Sequence, residues 1–143
     1  FVLVGPGVDA NNAAVMELIR TLGVEQRVRL LGERRDIPEL NAVFDIAACS
    51  STGEGFPNSI GEAMAAGVPV VMTDVGDARE VIGDAGVVVA TGDPAALAAG
   101  LLSLLRRSPA ERRQLGGRAR ARVAERFEIG VIARRYEALY RSL

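Results

Sequence analysis

The chain has 143 residues, 49% of them hydrophobic, enough for one globular domain with a sizeable core, and a formal net charge of −1. With no His, no Lys and Cys49 as its one cysteine, it excludes a Ser-His-Asp triad and an internal disulfide, argues against a conventional zinc site while leaving carboxylate-bound magnesium open, and fits a reducing compartment. No apolar run approaches the ~20 residues of a membrane helix and no basic-then-apolar leader opens it, so a cytoplasmic location is expected.

In chain order, short β-branched runs at 1–4, 28–31, 45–48, 69–72 and 87–90 read as strands, separated by helical patterns near 11–22, 37–43, 58–66 and 77–83. Alternation of this kind predicts an α/β fold, a Rossmann-like parallel sheet with helices on both faces, and the near-continuous apolar strands suit a sheet covered on both sides. After residue 92 only helices follow. Asp93 and Pro94 cap a helix over 95–107, Ser108 with Pro109 and Glu111 starts another running to about 126, and a third spans 130–143. The expected organisation is a single domain, 1–143, with an α/β core at 1–92 and a C-terminal helical extension at 93–143.

Ligands of such sheets collect at the carboxyl ends of the strands. Four loops follow strands there. Gly5 and Gly7 form a Gly-x-Gly turn that turn formation alone explains equally well, and Arg34 suits a phosphate or a base, although a solvated loop accounts for it more simply. Thr73 and Gly76 end the fourth strand beside Asp77, whose plainest role is a helix cap.

The third loop is the informative one. It reads Glu54-Gly55-Phe56-Pro57-Asn58-Ser59-Ile60-Gly61-Glu62 and runs into Ala63-Met64-Ala65-Ala66-Gly67-Val68-Pro69-Val70-Val71. Gly55 permits unusual backbone angles, Pro57 suits a first helical turn, and Asn58 and Ser59 are small polar residues. Main-chain amides around Pro57 to Ile60 are expected to meet an anion at the helix start. Glu54 stands before them and Glu62 about 6 Å beyond Asn58 at ~1.5 Å per residue, so carboxylates bracket the amides and can accept from vicinal diols. Sugar, diphosphate and ribose occur in that order in a nucleotide sugar.

Glu-(seven residues)-Glu followed by Ala-Met-Ala-Ala-Gly-Val-Pro-Val-Val resembles the donor-binding, C-terminal half of a retaining GT-B glycosyltransferase, family 4 (glycosyl transferases group 1). The similarity takes in Val4-Gly5-Pro6-Gly7, Leu31-Gly32, Asp36-Ile37-Pro38, Thr73-Asp74-Val75-Gly76-Asp77, Glu80 and Gly86-Val87-Val88-Val89, and so covers most of the chain. It implies that Glu54 holds the donor sugar, that amides from Phe56 to Ile60 hold sugar and diphosphate, that Glu62 holds the ribose, and that the site needs no metal. It also implies an Arg, a Lys and an acceptor-binding domain upstream of Phe1, so little or no turnover is expected of this chain by itself. Glu54 is then the group that positions sugar, not the nucleophile of a hydrolase pair.

Other classes share the architecture. A GT-B-like epimerase or phosphorylase and a non-catalytic nucleotide-binding regulatory module are the alternatives, because fold alone does not fix reaction type. Charge is uneven: residues 101–143 hold 11 Arg against 4 acids. Such a stretch suits peripheral contact with an anionic membrane, whereas interleaved Glu111, Glu125, Glu128 and Glu137 favour a solvated helix face. With few aromatics for base stacking, nucleic acid is not an expected partner.

Overall fold

In the computed structural model, which describes residues 1–143, each expected strand and helix is present. The chain contacts divide it into two units, Phe1–Ile37 and Pro38–Leu143.

In the first unit, β1 (Val2–Leu3) pairs in parallel with β2 (Arg29–Leu30), with Val2 opposite Arg29 and Leu3 opposite Leu30. Between them lies α1 (Ala13–Thr21), whose Asn12 side chain accepts from the Val15 amide and donates to the Gly7 carbonyl. A helix expected from residue 11 therefore begins at Ala13, because Asn12 is spent as its cap. A single 3₁₀ turn, Glu25–Arg27, leads into β2.

In the second unit, β3 (Ala47–Cys49), β4 (Val70–Thr73) and β5 (Val87–Val89) form a parallel sheet in that order. The central strand explains the layers. Successive side chains of a strand point to opposite faces, and all four residues of β4 are buried. Val70 and Met72 pack with Ile60, Ala63 and Met64 of α3 (Asn58–Ala65), with Val81 and Ile82 of α4 (Ala78–Ile82), and with Ala119 of α6 (Pro109–Arg126). Val71 packs on the other side against Leu104 of α5 (Pro94–Leu105) and Leu115 of α6. Close approach is bought with glycine: a Cβ on Gly100 would stand 2.8 Å from a Val71 methyl carbon, and one on Gly116 would stand 1.8 Å from the Gly67 carbonyl oxygen.

Helix α2 (Ile37–Val43) precedes β3, which starts two residues later than the apolar run suggests, since the Ala47 amide is the one that donates to Pro69 across the ladder. The helices after residue 92 form the expected C-terminal extension, and α5 and α6 belong to the unit of β3, β4 and β5 and pack on their faces. Ser108 and Glu111 form the expected capping box of α6. The last helix, α7 (Ile129–Arg141), buries no residue, and Ile129, Tyr136, Leu139 and Tyr140 are exposed on it. No helix is long and apolar enough to cross a membrane.

Candidate functional site

The segment between β3 and α3 carries the site. At the start of α3, Pro57 is fully buried at the N-cap position (φ −80°, ψ 75°) and no side chain caps the helix. Asn58 and Ser59 are exposed, and neither hydroxyl nor amide side chain bonds the backbone. The amides divide in a way the spacing did not foretell. Asn58 donates to the Phe56 carbonyl at 2.9 Å, and Ile60 to the Pro57 carbonyl at 3.1 Å, so these two are taken up by the turn itself. The Ile60 side chain is core, 2% exposed. Gly55, Phe56 and Ser59 have amides with no acceptor in the protein. The expected run of amides up to Ile60 is therefore corrected to a set centred earlier, on the loop and the first turn.

Glu54 is exposed, and its Oε1 accepts a 2.7 Å hydrogen bond from the Ser51 hydroxyl. The hydroxyl proton is committed there, so at the 3.3 Å contact between Cys49 Sγ and Ser51 Oγ the thiol is the donor. From β4, the Thr73 hydroxyl donates to the Ser51 carbonyl at 2.6 Å. The loop after β4 then meets the loop after β3 directly: the Asp77 amide donates to the Gly55 carbonyl at 3.1 Å, and a Cβ on Gly76 would lie 2.3 Å from the Glu54 carbonyl oxygen. Gly76 is at φ +49°, where a side chain would be strained as well. Thr91, after β5, donates to the Asp74 carbonyl and ties in the third strand end. Loops that follow β3, β4 and β5 thus converge, as the parallel topology requires.

Glu62 is exposed one turn into α3. It lines a cleft of about 230 Å³ with Phe56, Asn58, Val81, Val123 and Phe127, in which the Phe56 and Phe127 rings meet edge to face, centroids 5.5 Å apart. Glu54 is not among the cleft's wall residues. The two carboxylates stand on either side of the unpaired amides in sequence, one held by Ser51 and one open beside an aromatic wall.

Several expected ligand groups have structural partners. Thr73 is 3% exposed with its hydroxyl spent on Ser51, so it supports the loop and does not face a ligand. Gly76 acts by close approach to Glu54 and Gly55. Asp77 sits at the start of α4, but its side chain makes no capping bond there. Glu80 is held by Arg126 at 2.7 Å, and Arg122 donates to the Glu80 and Val81 carbonyls, which joins α6 to α4.

In the first unit, Gly5 (φ +148°) and Gly7 (φ +70°) shape the turn after β1, whose Gly5 amide donates to the Gly32 carbonyl. Arg34 grips Asp36 through two hydrogen bonds, 2.8 and 2.6 Å, in an exposed ion pair. That hydrogen bonding raises the Arg34 guanidinium and lowers the Asp36 carboxyl from their ordinary values. Sequence reasoning missed Ser51 and Phe127. Ser51 lies three residues before Glu54, the one signal available, whereas nothing local connects Phe127 to Phe56.

The family model of glycosyl transferases group 1 matches residues 1–107. The N-acetyl-alpha-D-glucosaminyl L-malate synthase of Bacillus anthracis is 36% identical over 140 residues, a span of 96% of this chain and 36% of that protein. The lipopolysaccharide core biosynthesis mannosyltransferase LpsB of Rhizobium meliloti is 30% identical over 138 residues, 94% of this chain and 39% of the relative. Among solved structures, Anabaena HepE in complex with UDP and glucose matches with a TM-score of 0.86 at 31% identity, over 99% of this chain and 40% of that one. The chain thus spans between 36% and 40% of the length of these relatives. A family match across both parallel ladders, together with a fold shared along almost the whole chain, places this protein among the group 1 glycosyl transferases of the GT-B fold.

Proposed function

We propose that this chain binds a nucleotide-diphosphate sugar, the donor of a glycosyl transfer. One observation carries the reading: the amides of Gly55, Phe56 and Ser59 have no acceptor in the protein, and they lie between the exposed carboxylates Glu54 and Glu62. Unpaired amides at the positive end of a helix offset the charge of a diphosphate. Glu54, with one oxygen held by Ser51, accepts from sugar hydroxyls, and Glu62 accepts from the ribose. The UDP–glucose and UDP-plus-glucose complexes of HepE support this assignment.

In transfer, the same amides stabilise the leaving diphosphate as the glycosidic bond breaks, a preorganised electrostatic contribution that costs no rearrangement. The donor set consists of amides and carboxylates that accept hydroxyls, so binding is proposed to need no metal. Transfer with retention, to an acceptor held by another domain, is proposed for a longer protein of which this chain is the donor half. The chain alone is expected to bind without turnover.

Calorimetric titration tests the reading. The chain is titrated with UDP, UDP-glucose, GDP and GDP-mannose, each with and without EDTA, and with flavin mononucleotide and acetyl phosphate as controls. Binding of one diphosphate pair that EDTA leaves unchanged is expected. Binding of flavin or acetyl phosphate without any of the four would sink it in favour of a regulatory module.

A further inference from the structure

We infer that Ser51 is a positioning residue for the donor sugar, acting through Glu54. The inference rests on the proposed function and deepens it. Glu54 is on an exposed loop and makes no ion pair; its one side-chain bond is the 2.7 Å contact from the Ser51 hydroxyl. A free glutamate side chain samples many rotamers, and ordering it on ligand arrival opposes binding. Ser51 removes that freedom beforehand. It occupies Oε1 and leaves Oε2 to accept from a sugar hydroxyl, in the way that preorganised groups raise affinity without adding a ligand contact.

Ser51 has the means to do this because it is itself fixed. Its carbonyl accepts from Thr73 at 2.6 Å, its hydroxyl oxygen accepts from the Cys49 thiol at 3.3 Å, and both partners end neighbouring strands of the parallel sheet. Thr73 is buried and Cys49 half-buried, so the rigidity of β3 and β4 passes into the carboxylate by way of one hydroxyl. The Glu54 and Gly55 main chain is held from a second direction by Gly76 and the Asp77 amide, which lets the loop keep its path when the Ser51 hydroxyl is removed.

The role predicts an effect confined to the sugar. The chain and its Ser51→Ala and Ser51→Thr variants are titrated with whichever diphosphate binds, UDP or GDP, and with its sugar form, UDP-glucose or GDP-mannose. Ser51→Ala is expected to weaken the nucleotide sugar about fivefold to tenfold, tenfold being ~1.4 kcal/mol, and to leave the bare diphosphate within about twofold. Ser51→Thr, which keeps the hydroxyl, restores the sugar form. In a Glu54→Ala background the Ser51→Ala change should have no further effect, since coupled residues are not additive. Equal losses for diphosphate and nucleotide sugar, or an undiminished loss in the Glu54→Ala background, would show that Ser51 only braces the loop and would overturn the inference. Should Ser51→Ala not fold, Cys49→Ala replaces it, with a loss of about twofold to threefold for the sugar form alone expected from weakening the contact that aims the hydroxyl; no sugar-specific loss there overturns the inference. If the unaltered chain binds neither diphosphate, the proposed function itself fails.

Discussion

Glu54 and Glu62 bear the same charge eight residues apart, and their surroundings give them different work. Glu54 is held by Ser51 beside the unpaired amides, whereas Glu62 opens onto the cleft of Phe56 and Phe127. Glu54→Gln is expected to weaken the nucleotide sugar about tenfold while sparing the bare diphosphate, and Glu62→Gln to weaken both alike, because both ligands carry the ribose and only one carries the sugar. Titration of each variant with both ligands checks this split. A second outcome concerns Asp36, whose carboxyl is lowered chiefly by the hydrogen bond from Arg34. A depressed carboxylate contributes stability above its unfolded value of about 3.9, and that contribution disappears as pH falls through the folded value. A carboxyl-carbon titration should place Asp36 below ordinary aspartates, and Arg34→Gln should move it back up. Salt should move it in the same direction, since both partners are solvent-exposed.

The elements were legible because their signals are local. Ser108, Pro109 and Glu111 sit at the spacing of a capping box, and α6 begins at Pro109 with that box formed. Asp93 caps α5 by accepting from the Ala96 amide. Pairs of glycines within one helix were not legible in the same way. Gly116 and Gly117 are neighbours in α6, yet a Cβ on the first would strike the Gly67 carbonyl while one on the second meets nothing within 4 Å. Gly116→Ala is therefore expected to destabilise the protein by ~1–3 kcal/mol or more through overpacking, and Gly117→Ala to stabilise it by ~0.5–1 kcal/mol through helix propensity. Urea denaturation, read as opposite shifts of the midpoint at constant slope, decides between the two.

At the scale of the molecule, burial is uneven. Ile19 is the one buried hydrophobic side chain of the first unit, whereas the second has a core on each face of β4. Hydrogen exchange should accordingly open amides of β1 and β2 at lower free energy than those of β4. The basic C-terminal stretch is also more committed than its charge count suggests. Arg122 and Arg126 are held on α4, and Arg112 donates to the Leu105 and Arg107 carbonyls, whereas Arg118 and Arg120 of α6 are exposed without an acidic partner, as are Arg106, Arg107, Arg113, Arg134 and Arg135. Peripheral membrane contact is proposed to run through these unpaired guanidinium groups, Arg118 and Arg120 among them. Vesicles containing phosphatidylserine should bind the chain weakly at low salt, and Arg118→Gln with Arg120→Gln should weaken that binding further.

By itself the sequence determined the order of strands and helices, the caps of α5 and α6, and the loop before α3 as the place where amides and carboxylates gather. These follow from contacts within a few residues, which spacing encodes directly. Tertiary structure decided which groups remained available. Thr73 reaches Ser51 across 22 residues, Arg126 reaches Glu80 across 46, and Phe127 closes on Phe56 from the end of α6. A polar side chain is free for a ligand only when no distant part of the same chain has met it first, and that is settled by how the backbone folds back on itself.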